Sequence, residues 1–477
     1  MEKFFSPESI AIIGASNGTF NLGATICQSL KEYLKYSGRV YAVNRKGEDV
    51  KGCQGFPSVM DLPEAADLAI IITPAQVVPQ FMKECGEKGI RRVIIESAGF
   101  SEEGDSGTIL QEQMNEIARS YNMRFLGPNC LGTLDTKSHF CSFYGVNHIM
   151  IDMINELNSR DGTISYIIQS GGVGVLVLES CVTDVISVNK MVSIGNKSDI
   201  DESDLIEYFS HDDTQVICMY LENIKDGRKL MDTARNAGKP VIAFKVGRTE
   251  AGSKAAMSHT AGMANNDAVF DKACRQSGII RARSITELHS LPKIFTTMPP
   301  LRGKNIALFT NSGAFGGITA DLLTEAGLSL VQFSPETQEK LKKTGQTFNV
   351  KNPVDIGPAL PKTYLDIFEI LLSAKEVDAI LPLASIWQTF VIDVLLELQK
   401  MCQHYQKPAA IYCPNATGKI LAVRKEHQLA LFESPEEAVR ALAVSYQYTD
   451  FINRRSPVYE ENIAECNSEQ PESTLRI

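Results

Sequence analysis

Short runs of residues that are apolar at nearly every position, each followed by a helical pattern, recur along most of this chain and dictate its fold class. In the first part they are Ser9–Ile13, Arg39–Val43, Leu68–Ile72, Arg92–Ile95 and Met123–Leu126. A strand without polar alternation is covered on both faces, which implies a parallel sheet flanked by helices. The alternation predicts an α/β, doubly wound architecture. A helix is expected from Ala24 to Tyr36, after the first strand.

The 477 residues exceed one ordinary core and suggest about three domains. The first block spans residues 1–136, and the polar, less periodic stretch 137–160 reads as a linker or covering segment. A second alternating block, 161–297, contains the predicted strands Thr163–Ile168, Lys190–Ile194, Val216–Tyr220 and Val241–Lys245. A third, 303–450, follows the break at Met298-Pro299-Pro300, and the Glu/Ser/Asn-rich tail 456–477 is expected to be disordered.

Composition narrows the partners. A net charge of −10 argues against nucleic acid or an anionic membrane surface as the main partner. The sequence contains no apolar run of the ~18 residues that a membrane helix needs, and its start lacks the apolar core of a secretory signal. Eleven cysteines without a Cys-x-x-Cys pair fit a reduced, cytoplasmic protein. Together with seven histidines they form no metal-ligand spacing, so no metal site is expected.

Glycine-rich turns follow several of the strands. Gly14-Ala15-Ser16-Asn17-Gly18 opens the first helix, where backbone amides and the helix dipole favour an anion. The spacing is not Gly-x-Gly-x-x-Gly, and the second strand ends in Asn44-Arg45-Lys46 rather than in an acidic residue. A ligand with a phosphate on its ribose is therefore favoured, and both CoA and NADP qualify. Thr73-Pro74, Ser97-Ala98 and Gly127-Pro128-Asn129 also follow strands, at the edge where ligands bind in such sheets. Two further turns, Gln169-Ser170-Gly171-Gly172 and Asn311-Ser312-Gly313, would point unpaired amides at an anion. Simple helix capping by Ser170 and Ser312 is the alternative for each.

His259 lies in Ser258-His259-Thr260-Ala261-Gly262, off any amphipathic stripe, with room for a bulky group. A neutral imidazole can attack phosphorus, given a partner on its other nitrogen, and Glu222 at the end of a predicted strand is suitably placed. A structural role is the competing reading. Asp201 and Glu202 read as charges at a helix N-terminus. Lys245-Val246-Gly247-Arg248 would supply a local positive field or a solvated face.

In combination these motifs resemble the α subunit of NDP-forming acyl-CoA synthetases, the succinyl-CoA synthetase superfamily. The resemblance runs from about Ser6 to about Tyr448 and rests on Ile13–Ser16, Ser97–Phe100, Gly127–Gly132, Gln169–Gly171, Gly195–Glu202, Ser258–Thr260 and Asn352–Asp355. It implies a Rossmann-like CoA-binding domain followed by two flavodoxin-like ligase domains. It also implies the reaction carboxylate + CoA + NTP = acyl-CoA + NDP + phosphate, through an acyl phosphate and a phosphohistidine. Residue by residue, His259 matches the phosphorylated histidine and Glu222 its orienting partner. Residues 169–172 and 311–313 match the two phosphate-holding turns, and the first-domain loops match the CoA site. The chain departs from the family pattern in Thr260-Ala261-Gly262, where Thr-Gly is usual, and in Asn311–Gly316. It contains no ATP-grasp segment, so ATP or GTP with Mg2+ is expected on a separate β subunit, in an α2β2 assembly. A small carboxylate such as acetate is the expected substrate. The rival classes are a non-catalytic CoA sensor or scaffold of the same fold and an NADP-dependent oxidoreductase.

Overall fold

The computed structural model describes residues 1–254, 266–345, 349–356, 360–383, 391–413, 427 and 429–455. The chain forms two units, Met1–His289 and Ser290–Ile477. His259 and the tail 456–477 lie outside the described residues.

The first unit holds two sheets. Strands β1 (Ser9–Ile13), β2 (Arg39–Val43), β3 (Gln54–Phe56), β4 (Leu68–Ile71), β5 (Arg92–Ile95) and β6 (Arg124–Leu126) pair in the order β3-β2-β1-β4-β5-β6. All the pairings are parallel. This 3-2-1-4-5-6 order is that of a Rossmann sheet, and it reverses between β1 and β4. Every residue of β1 and β4 is buried, as their unbroken apolar runs require. Helices α1 (Leu22–Gln28), α2 (Val78–Lys88) and α3 (Asp105–Ser120) belong to this sheet. The helix expected to reach Tyr36 is α only to Gln28 and continues as a π-helical turn, Ser29–Tyr33.

The second sheet comprises β7 (Gly132–Asp135), β8 (Phe140–Cys141), β9 (Ile164–Ile168), β10 (Val188–Ser193), β11 (Val216–Leu221), β12 (Val241–Lys245) and β13 (Ile280–Arg281). Their order is β13-β12-β11-β9-β10-β7-β8. The five strands from β9 to β13 are parallel and have the flavodoxin-like order 2-1-3-4-5. Between them run helices α5 (Gly171–Thr183), α6 (Glu202–Ser210) and α7 (Gly227–Asn236).

The stretch 137–160 differs from a linker. It contains β8 and helix α4 (His148–Asn158), which is capped by Asn147 and packs on α5. With β7 antiparallel to β10 and β8 antiparallel to β7, this segment extends and covers the second sheet. One apolar cluster runs through both sheets, joining Ile10, Ile12 and Ile70 to Ile167, Val192 and Ile217, while Ile13, Ile71 and Ile95 belong to a second cluster on the first sheet.

Among the described residues, the second unit has one sheet. It comprises β14 (Asn305–Thr310), β15 (Ser329–Leu330), β16 (Val354–Asp355), β17 (Ala379–Leu383), β18 (Ile411–Tyr412) and β19 (Leu431–Phe432). The path β15-β14-β17-β18-β19 again has the 2-1-3-4-5 order, with β16 also beside β14. Among the described residues, no helix is long and apolar enough to cross a membrane.

Candidate functional site

Ligands of open parallel sheets bind beyond the strand C-termini, where strand order reverses. In the first sheet that point lies beyond β1 and β4, and a cavity of about 770 Å³ is found there. Gly14, Ser16, Asn44, Lys46, Thr73 and Pro74 line it. Gly14 adopts φ +100, and a Cβ there would sit 2.4 Å from the Ile72 carbonyl oxygen, so only glycine lets this turn close over the strand ends. Asn21 caps α1 by accepting from Ala24 N at 2.8 Å and Ser16 N at 3.1 Å, and it donates to Gly14 O at 3.0 Å.

Ala15 is fully buried and does not line the cavity; it packs against the backbone of Gly23. The Asn44 side chain folds its own loop, accepting from Lys46 N and Glu48 N at 3.2 Å each. The exposed cations of this loop are Arg45 and Lys46, and both line the cavity. Arg45 was legible in the Asn-Arg-Lys run but was not among the candidate site residues. The Thr73 hydroxyl, also at the cavity, is buried without a hydrogen-bond partner among the described residues.

Five other candidates do not line this cavity. Ser97 is buried and props the β4 turn, accepting from Thr73 N at 3.0 Å, while Ala98 is exposed beside it. Gly127, Pro128 and Asn129 form a seam with the loop after β10. The Gly127 carbonyl accepts from Ser198 N at 3.0 Å, the Pro128 carbonyl accepts from Asn196 N at 2.9 Å, and Asn129 N donates to Ser97 O at 2.9 Å.

The second sheet reverses between β9 and β11. The residues beyond those two strands are Gln169-Ser170-Gly171-Gly172 and Glu222-Asn223. Gln169 joins the two strand ends. Its Oε1 accepts from Glu222 N at 2.8 Å and Asn223 N at 3.2 Å, and its Nε2 donates to Asn223 Oδ1 at 3.3 Å. Its carboxamide, expected to reach for phosphate, is thus largely committed to shaping the loop. Ser170 is the N-cap of α5, but its hydroxyl lies 3.5 Å from Val173 N, the long limit of a hydrogen bond. The first-turn amides of Gly171 and Gly172 have no acceptor within the helix. A Cβ on Gly172 would meet no heavy atom within 4 Å, so the space before the helix is open.

Glu222 is buried, 9% exposed, directly after β11. Burial, with the nearby Glu222 charge, pushes the Tyr220 hydroxyl up to about 12. Lys245 is buried at the end of β12 and donates to Val246 O at 2.9 Å, while Arg248 donates to Arg283 O at 3.2 Å. These two cations are held by backbone carbonyls, and burial lowers the Lys245 pKa.

The turn Asn311-Ser312-Gly313 belongs to the second unit and follows β14, at the β14/β17 switch point. Ser312 makes no side-chain cap to the helix Gly313–Glu325. Buried Thr310 shapes this turn, with Oγ1 accepting from Ser312 N and donating to Ser312 O, each at 2.9 Å. The capping reading therefore fails for Ser312. Thr310 was not foreseen, because a threonine ending an apolar strand carries no distinctive pattern.

Residues 8–136 match the family model of a CoA binding domain, and residues 161–295 that of a succinyl-CoA ligase like flavodoxin domain. Fold, switch-point crevices and these matches define an α/β chain of the CoA-binding ligase class. It is 34% identical to the α subunit of acetate–CoA ligase [ADP-forming] I of Pyrococcus furiosus, over 94% of this chain and 98% of that one. It is also 34% identical to acetate–CoA ligase [ADP-forming] I of Archaeoglobus fulgidus, over 100% of this chain but 67% of that longer one. The solved Ca. Korarchaeum cryptofilum dinucleotide forming acetyl-coenzyme A synthetase 1, in complex with phosphate and ADP, superposes with a TM-score of 0.84. Its sequence identity is 29%, covering 97% of this chain and 98% of that one. The chain belongs to the NDP-forming acyl-CoA synthetases of the succinyl-CoA synthetase superfamily.

Proposed function

We propose that this chain is the α component of an ADP-forming acid–CoA ligase, catalysing carboxylate + CoA + ATP = acyl-CoA + ADP + phosphate, with acetate as the first substrate to test. In the synthetic direction, His259 takes the γ-phosphoryl group of ATP, releasing ADP, and passes it to a carboxylate oxygen. The CoA sulfur then attacks the acyl carbon of the acyl phosphate and expels phosphate, the thiol proton going to solvent. Glu222 holds the other ring nitrogen of His259. The amides of Gly171 and Gly172 grip the phosphoryl group without a fixed positive charge, so that it can leave again.

The observation that carries this reading is the β9/β11 switch point, where the open N-terminus of α5 and the carboxylate of Glu222 end neighbouring strands. CoA fits the cavity at the first switch point through its glycine cradle and the Arg45–Lys46 pair, which suits the ribose phosphate. Residues 1–136, 161–297 and 303–450 then serve as the CoA-binding domain and the two ligase domains. ATP with Mg2+ is brought by a separate ATP-grasp β subunit in an α2β2 assembly. That division of labour is supported by the α-subunit relative, matched over 98% of its length, beside the longer Archaeoglobus fulgidus chain.

The test is acid-labile phosphate labelling and acyl-CoA synthesis by the chain mixed with such a partner, for wild type and His259→Asn. The variant is expected to lose both. Undiminished synthesis by His259→Asn overturns the reading.

A further inference from the structure

The motif Gly195–Glu202 is not absorbed by the proposed chemistry, yet it holds a fully buried lysine. Lys197 has a side chain with no exposure, and its Nζ lies 2.8 Å from Oε2 of the equally buried Glu202. The same ammonium donates to the carbonyl oxygen of Asn223 at 2.7 Å. Asn223 is the residue whose amide, with that of Glu222, is held by Gln169. In return, Lys225 from the Glu222 loop donates to the carbonyls of Asn196 and Lys197 at 3.0 and 2.8 Å. The two loops therefore grip each other from both sides.

Lys197 achieves this with φ +45, a left-handed backbone rarely adopted by a residue carrying a Cβ. Its loop is anchored on the first sheet's helices as well. Asn196 donates to Glu102 Oε2 at 2.5 Å, and Ser198 donates to Asn115 Oδ1 at 2.9 Å. A buried ion pair is a poor source of net stability compared with apolar packing. A strained backbone persists where the surroundings over-determine it, and such sites cluster at functional positions. The clasp ends one residue from Glu222.

We propose that Lys197 is a positioning residue for phosphoryl transfer: anchored on Glu202, its ammonium fixes the Asn223 carbonyl and thereby the aim of the Glu222 carboxylate. This inference rests on the role proposed for Glu222. Glu202 thereby gains a structural function beyond its place at the start of α6, and Lys225 closes the clasp from the other loop.

The test is a double-mutant cycle on the full chain, following labelling of His259 by [32P]acetyl phosphate, alongside CoA binding by calorimetry. Lys197→Met is expected to slow labelling about 10- to 100-fold at saturating acetyl phosphate, the range for losing a hydrogen bond to a charged group. Its CoA affinity should stay at the wild-type value. Because Lys197 acts through Glu222, Lys197→Met combined with Glu222→Gln should be no slower than Glu222→Gln alone. If Lys197→Met leaves Glu202 buried without its partner and the chain fails to fold, Lys197→Met with Glu202→Gln removes both charges and should show the same slowing. Labelling within twofold of wild type in the folded variant, or effects that multiply in the combination with Glu222→Gln, overturns the inference. Wild-type labelling by Glu222→Gln alone instead overturns the underlying role of Glu222.

Discussion

Glu96, directly after β5, should make the first unit less stable as pH rises, and replacing it should remove that slope. The residue is 4% exposed, and neither carboxyl oxygen has a hydrogen-bond partner among the described residues. A Cβ on Gly132 would lie 3.0 Å from Glu96 Oε1, so the chain closes tightly over the group. Burial pushes its pKa well above the usual carboxylate range. For an acid whose folded pKa is raised, stability is complete below the unfolded value of ~4.3 and declines by ~1.4 kcal/mol per pH unit until the folded pKa is reached. Glu96→Met keeps the volume and removes the proton linkage. Its advantage over wild type should grow as pH rises above the unfolded value of ~4.3, by up to ~1.4 kcal/mol per pH unit until the folded pKa is reached. Removing an unsatisfied buried polar group adds a pH-independent gain of about 1–3 kcal/mol. Urea melts at pH 5, 6 and 7, followed by circular dichroism, measure both terms. An advantage that stays flat over this range would refute the reasoning, since it would mean a carboxyl in the same protonation state folded and unfolded.

Two further expectations concern ligand binding. Gly172→Ala meets open space and gains up to about 1 kcal/mol of helix propensity, so stability should hold or rise. A methyl group beside the α5 amides should nevertheless cut His259 labelling at least about tenfold if those amides carry phosphate. Replacing both Arg45 and Lys46 by alanine should weaken CoA binding about tenfold at low salt and less at high salt, as calorimetry would register. Dephospho-CoA, lacking the ribose phosphate, should be bound equally by variant and wild type.

The parallel strands were legible because burial on both faces writes itself as unbroken apolar runs, as in Leu68–Ile71 and Val216–Leu221. Strand order is not written in this way, so the three switch points emerged only from the pairings. The stretch 137–160 was read as a linker or covering segment, and its share in the sheet was not legible because β8 is two residues long and joins antiparallel, leaving no parallel-strand signature. Asp201 was read as a helix-start charge, and it closes a capping box with Asp204. Glu202 received the same reading, yet its carboxylate turns inward to Lys197. A lysine in a polar loop looks solvated in sequence, and only packing from α6 and the Glu222 loop makes it a core residue. Gln169 and Thr310 were opaque for a related reason: their roles depend on which backbone amides the fold brings within reach.

The place of β7 has a practical consequence. Residues 132–135 hydrogen-bond to β10, although they lie within the stretch matched as a CoA binding domain. A fragment ended at residue 136 would therefore carry an orphaned ribbon whose mates had been cut away. Its bared edge, with Leu134 uncovered, would invite self-association. Dissection of this molecule respects its hydrogen bonds only if the cut falls beyond the second sheet, because a cut before Gly132 would still part Gly127 and Pro128 from Ser198 and Asn196.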